Sequence, residues 1–397
     1  MLAQASGPSE ADDHMFATMR IVTLLMIAAC AAGPLAAPAF AAECMTADGF
    51  RTPFTLDDQK AAQVPGIPDV RFFADDPDAF LKAMPKKPGP WLAVSGGGAD
   101  GAYAAGVLNG WSTAPGGRPE FSVITGISTG AAIAPFVFLG KAYDEKLREN
   151  YTTINAGDIF EDLDTDQSLV DTWPLKDLIA KQVTPELLKA VAEQHRKGRR
   201  LYVGTMNLDS ERRVIWDLGA IAAKGGEEGL ALFRDVILAS SSVPGLFPPV
   251  TIDLEANGKC VREVHIDGSV GGPFYIGPQD WLEGEANFKL PATELYVLLN
   301  AKSQPYFEMV QQNVLSLLAR GISIALKFAG RIDTDRAQDA ANKDGVKFHL
   351  AYITEDFNHP YQGAFDGVYM KALFDWGEAE AKAGKAFHDG LPVYAAR

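Results

Sequence analysis

Positive charge is in short supply. The chain carries 36 Lys and Arg against 51 Asp and Glu, a formal net charge of -15. Nucleic-acid binding needs a basic footprint, so that class of partner is excluded. The acidic whole is also repelled at long range by anionic lipid headgroups. Any peripheral membrane contact must therefore come from local apolar or basic patches. Cysteine is scarce: Cys30, Cys44 and Cys260 are the full set. No internal repeat and no low-complexity linker divides the sequence, so one domain is the simplest organisation. What the chain does have is length and apolar content: 397 residues, 47% of them hydrophobic, are ample for one large core.

The N-terminal 42 residues read as an export signal. Arg20 precedes an apolar run, residues 21–29, which continues through small residues to Ala42. Ala39-Phe40-Ala41 supplies an A-x-A-like cleavage site. Gly33, Pro34 and Pro38 interrupt the run and make it a poor spanning helix. Ile27-Ala28-Ala29-Cys30 gives a second reading, because it resembles a bacterial lipobox, in which the cysteine becomes acylated. The first reading puts the chain in the periplasm or outside the cell. The second anchors it to a membrane through Cys30. Cys44 and Cys260 remain in either case, and in an exported protein they fit one disulfide or two buried thiols.

Residues 43–90 are rich in Pro and Asp and weakly periodic, an irregular extension on the domain surface. From residue 91 to the end the pattern is regular. Residues 91–95 form a short apolar run before three glycines, a buried strand. Residues 101–111 have helical spacing, 121–125 read as a strand and 128–139 as an apolar helix. Further strands are expected at 201–206, 213–216, 261–266, 295–299 and 346–353. Helices are expected at 230–239, 310–328 and 369–387. Alternating strands and helices imply an α/β fold with a mainly parallel sheet covered on both faces.

Three motifs carry chemistry. Gly126-Ile127-Ser128-Thr129-Gly130 follows a strand and opens a helix, the setting of a G-x-S-x-G nucleophile elbow. Small residues must flank Ser128 because the turn is tight, and the helix N-terminus favours developing negative charge. Gly96-Gly97-Gly98-Ala99-Asp100-Gly101 lies between strand and helix, where backbone N–H groups can hold an oxyanion. The same letters fit a dinucleotide fingerprint, which needs an acidic residue ending the second strand. Glu120 precedes that strand instead, which argues against an oxidoreductase. Asp267-Gly268-Ser269 ends the strand at 261–266. Alone it is an ordinary turn.

Taken in order, these motifs resemble the patatin-like phospholipases, as does the block Ala239-Ser240-Ser241-Ser242-Val243-Pro244-Gly245-Leu246-Phe247-Pro248-Pro249 ending in F-P-P. The resemblance spans residues 91–271. It implies a three-layer α/β/α fold and a Ser–Asp dyad that hydrolyses lipid or phospholipid esters without metal or cofactor. The nucleophile then falls on Ser128, the base on Asp267 and the oxyanion amides on Gly96, Gly97 and Gly98. One position departs from the family: Asp100 stands where Arg or Lys is usual. A carboxylate there would oppose an oxyanion, so Asp100 is expected to turn away and cap the helix beginning at Gly101. Asp100 also keeps open an alternative, a catalytically weak relative that binds lipid or a partner.

Other features have plainer readings. A triad would need His265, His349, His359 or His388 as base. His265 reads as a strand-end residue, His349 as packed in a strand, and His195 as solvated within the basic stretch 196–200. Asp162, Asp164 and Asp166 alternate like a calcium loop, but Gln167 replaces its glycine, so a solvated acidic loop is expected. The helix at 310–328 is expected to pack on the sheet rather than face lipid.

Overall fold

The computed structural model describes residues 44–161, 167–307 and 309–392. The export signal, the lipobox and the Asp162–Asp164–Asp166 alternation lie outside them. The chain divides into two units, 1–52 and 53–397. In the first, the Thr52 N–H donates to Cys44 O (3.0 Å) across a small loop closed by a Met45–Arg51 bridge. Cys44 is disulfide-bonded.

The second unit opens with Leu56–Ala61 (α1), started by a capping box between Thr55 and Asp58. Arg71–Phe73 (β1), Pro77–Ala83 (α2), Gly89–Val94 (β2), Gly101–Thr113 (α3), Val123–Gly126 (β3), Thr129–Leu139 (α4) and Asp144–Thr152 (α5) follow. Then come Trp173–Gln182 (α6), Pro185–Arg196 (α7), Arg200–Asn207 (β4), Arg212–Asp217 (β5), Leu218–Lys224 (α8), Gly226–Ser240 (α9), Val250–Ala256 (β6) and Lys259–Asp267 (β7). Gln279–Leu282 (α10), Ala292–Lys302 (β8), Val314–Asp344 (α11), Lys347–Ile353 (β9) and Gly367–Lys382 (α12) complete it.

The strands form one sheet in the order β1-β5-β4-β3-β2-β8-β9, with β7 also paired to β4 and β6 to β7. The five from β4 to β9 along this order are mutually parallel. The strands β1, β5, β6 and β7 are joined by antiparallel pairing. Residues 43–90 are thus not wholly irregular. β1 closes one edge of the sheet, with Phe72 opposite Ile215.

Both faces of the sheet are covered. Along β2, Leu92 and Val94 point into a core shared with α3, α4, α9 and α12. Trp91 and Ala93 point the other way, into a core with Phe80, Val297 and Ala337, Ala340 and Ala341 of α11. Alternation of side chains across a pleated strand produces this division. The result is the three-layer α/β/α arrangement that the sequence pattern implies.

One detail of topology builds the site. β3 stops at Gly126, opposite Val203 of β4. β4 runs on, and its last residues take a new neighbour: Thr205 pairs with Asp267 and Asn207 with His265 of β7. The end of β7 therefore arrives where β3 turns away.

α11 is longer than the apolar run suggests. Its second half packs through alanines, whereas Val314, Leu317, Ile324 and Phe328 in its first half are exposed. The expectation that residues 310–328 pack on the sheet is corrected: this half has one face toward a cavity and the other toward solvent. Among the described residues no helix is long and apolar enough to cross a membrane.

Candidate active site

Ser128 sits between β3 and α4 with φ 54° and ψ -123°. A positive φ on a residue with a side chain is strained, and such strain is retained where the surroundings fix it. The turn is held closely. A Cβ on Gly130 would overlap the carbonyl oxygens of Val94 and Ser95, so only glycine fits. The Ser128 N–H donates to Ser240 Oγ (2.9 Å), and the Ser240 hydroxyl donates to Gly204 O (2.7 Å). The last residue of α9 therefore ties the turn to β4.

Asp267 ends β7 and is 2% exposed. Its N–H donates to Ser242 O (2.8 Å), two residues beyond the serine that holds Ser128. The Ser269 N–H donates to Oδ1 (2.8 Å). Burial pushes the Asp267 carboxyl up to about 6; the neighbouring Ser128 and Ser269 hydroxyls, the Ser269 N–H and the Arg213 charge hold it from going higher. Arg213 reaches from β5 and donates to the carbonyls of Phe274 (3.1 Å), Gly268 (3.3 Å) and Gly272 (2.8 Å). It fastens the loop that follows the aspartate.

The glycine loop lies against this pair. A Cβ on Gly96 would overlap Ser269 Oγ and crowd Ser128 Cβ. The Gly96 N–H, expected as an oxyanion donor, is already bonded to Pro273 O (2.9 Å). This expectation is corrected: Gly96 forms the floor of the site, and the open donors are Gly97 and Gly98. Neither of those two N–H groups is hydrogen-bonded within the described residues. Asn300, at the end of β8, secures the loop's root. Its Nδ2 donates to Ser95 O (2.9 Å), and its Oδ1 accepts from the Ala104 N–H (3.1 Å).

Asp100 makes no side-chain cap on α3, which corrects the capping expectation. Tyr369 Oη of α12 donates to Asp100 Oδ1 instead (2.7 Å). A tyrosine, rather than the helix start, binds the carboxylate, which stays at the cavity instead of turning away from it. Both residues line the same cavity as Ser128.

No histidine is hydrogen-bonded to Ser128 or Asp267 among the described residues. His265 is fully buried between Glu263 Oε2 (2.9 Å) and Thr205 Oγ1 (2.9 Å), and Arg71 pairs with the same Glu263 (2.6 Å). His349 stacks on Tyr296. His195 is not solvated as expected but half-buried, with Nδ1 3.5 Å from Asp217. In the same stretch Arg199 is buried, donating to Phe121 O and Phe138 O. Glu120, the acidic residue weighed for a dinucleotide, lies 3.7 Å from Arg199.

A cavity of about 1040 Å³ opens beside Ser128, Asp267 and the glycine loop. Its walls include Phe136, Ile179, Ile237, Phe247, Leu326 and Met370, so most of the lining offers nothing to hydrogen-bond. Sequence reading found Ser128, Asp267 and the loop but assigned no role to Ser240, Ser242, Ser269, Arg213 or Asn300. Ser240 and Ser242 lie within the block that ends in F-P-P, the one signal that pointed to them.

A mainly parallel sheet between helical layers, with polar groups gathered at its strand ends over an apolar cavity, defines a three-layer α/β protein with a single-sided site. Residues 92–277 match the family model described as Patatin-like phospholipase, a likeness that suggests lipid acyl hydrolase activity. The crystal structure of VipD from Legionella pneumophila is similar at 10% sequence identity, covering 76% of this chain and 68% of that one with a TM-score of 0.33. No curated protein matches the chain.

Proposed function

We propose that this chain is a serine lipid acyl hydrolase in which Ser128 and Asp267 form the catalytic dyad. The observation that carries this reading is a strained Ser128 placed beside a buried carboxylate, whose charged form its hydroxyl favours, next to two open glycine N–H donors. A serine hydroxyl becomes a useful nucleophile only when something accepts its proton. Asp267 takes that proton as Ser128 Oγ attacks the ester carbonyl. The carbonyl oxygen, now an oxyanion, lies on the Gly97 and Gly98 amides. Collapse expels the alcohol, which receives the proton from Asp267. Water then gives its proton to Asp267 and attacks the acyl-serine; as the acyl–Oγ bond breaks, Asp267 passes that proton to Ser128 Oγ and the fatty acid is released. A phospholipid or a related lipid ester suits the apolar cavity, which takes the acyl chain.

A fluorophosphonate probe tests the reading. Labelling of the wild type that disappears in Ser128→Ala supports it, as does loss of ester hydrolysis in the same variant. A second reading, a catalytically weak lipid-binding relative, is favoured by one observation, the acidic Asp100 at the mouth of the glycine loop. Folded protein that takes up fatty acid but resists the probe would select it. Export to the periplasm or the cell exterior, or anchoring through Cys30, rests on residues 1–42 and is proposed on that basis alone. The mass of the mature chain tests it.

A further inference from the structure

The first half of α11 is apolar on more than the face it turns inward. Ala319, Ile322 and Leu326 line the cavity together with Ser316, Arg320, Ser323 and Lys327. On the neighbouring face Val314, Leu317, Ile324 and Phe328 recur at helical spacing and point to solvent, with Leu317 54% and Phe328 51% exposed. The segment before the helix continues this surface: Phe307 is 90% exposed and Met309 85%, and both also line the cavity mouth. An apolar surface of this kind on an otherwise water-facing protein marks an interaction site.

Charge says what it meets. Residues 302–332 contain four basic side chains, Lys302, Arg320, Lys327 and Arg331, and one acidic residue, Glu308, in a chain of net charge -15. Three of the cations gather at the Tyr306 ring: Lys327 Nζ lies 4.2 Å from its centroid, Arg320 Cζ 4.4 Å and Lys302 Nζ 5.1 Å. The net negative charge of the whole chain repels anionic headgroups at long range. Here cations sit beside exposed apolar groups at the entrance to the site.

We infer that the exposed apolar stripe of α11 with Phe307 and Met309 is a docking surface for an anionic phospholipid bilayer, these side chains entering the headgroup layer and Lys302, Arg320 and Lys327 meeting lipid phosphates. Docked this way, the cavity mouth opens onto the lipid and an acyl chain passes to Ser128 without crossing water. The inference rests on the lipid-hydrolase reading for its purpose, but its test needs no turnover.

The test is flotation of the full chain with vesicles of phosphatidylcholine alone or mixed with phosphatidylglycerol. The wild type is expected to float with the mixed vesicles and about tenfold more weakly with phosphatidylcholine alone. Leu317→Ser/Phe328→Ser is expected to lose about tenfold in binding to the mixed vesicles, and Lys302→Glu to lose the preference for them. Hydrolysis of a short soluble ester is measured alongside. Vesicle binding without ester hydrolysis would sink the enzyme reading and leave this inference standing. Equal flotation with both vesicle types overturns it. So does undiminished flotation of the stripe variant, which would assign binding to the N-terminal apolar run, or conversion of a dimer to a monomer by that variant with flotation unchanged, which would assign the stripe to a second copy.

Discussion

At the scale of single residues, the proposed dyad asks Asp267 to be both buried and a base. Its carboxyl is lifted from the ordinary 3.8 to about 6. Only the ionised form accepts the Ser128 proton, so hydrolysis of a soluble ester should rise as pH climbs through about 6 and then level off. A flat profile between pH 5 and 8, measured as kcat/KM, would remove Asp267 as the base. The same lift has a cost for stability. The folded value lies above the unfolded one, so the ionised carboxyl weakens the fold increasingly from about pH 4 to about 6 and by a constant amount above that. Asp267→Asn should therefore abolish hydrolysis while raising stability by about 2 kcal/mol at pH 8, a gain largely absent near pH 4. Urea unfolding at the two pH values checks it. Ser240 acts differently. Ser240→Ala leaves the Ser128 N–H and the Gly204 carbonyl without this partner, a cost of about 1–3 kcal/mol. Hydrolysis should fall further than the stability loss explains, because the strained turn is no longer held; Tm and kcat measured together separate the two effects.

At the scale of elements, Arg213 joins β5 to the loop behind Asp267. Arg213→Met removes three hydrogen bonds to that loop and the cation that helps keep Asp267 ionised. The acid limb of the pH–rate profile should move to higher pH, measured on the same ester; an unmoved limb would limit Arg213 to a structural role. The elements themselves were legible to different degrees. β2, β3, α3 and α4 could be read from their sequence because each is a short apolar run bounded by glycine. β6 was missed although Asn257-Gly258, with φ 54° and 76°, is the turn that joins it to β7. Its pattern hid because Asp253 and Glu255 alternate with Ile252 and Leu254 on a strand that is polar on one face. The second half of α11 escaped notice because Ala337, Ala340 and Ala341 are small and set among charges. Ser128 and Asp267 could be named from motif order. The Gly96 amide could not be judged, since its acceptor, Pro273 O, is supplied by a loop far along the chain.

At the scale of the molecule, the site is assembled rather than inherited from one segment. The serine comes from the β3–α4 turn, the carboxylate from β7, the open amides from the loop before α3, and Ser240, which ends α9, and Ser242 just after it bond Ser128 and Asp267.

The exchange of partners along β4 has a thermal consequence. Asp267 is held in place by the last few rungs of β4, where the β6–β7 hairpin replaces β3. Ends of this kind open locally at lower free energy than the core. On gentle warming, the hairpin should fray and turnover should fade while the far-ultraviolet circular dichroism of the helices is still intact. Amide hydrogen exchange would then report early deuterium uptake at Val264–Asp267, ahead of β2 and β8.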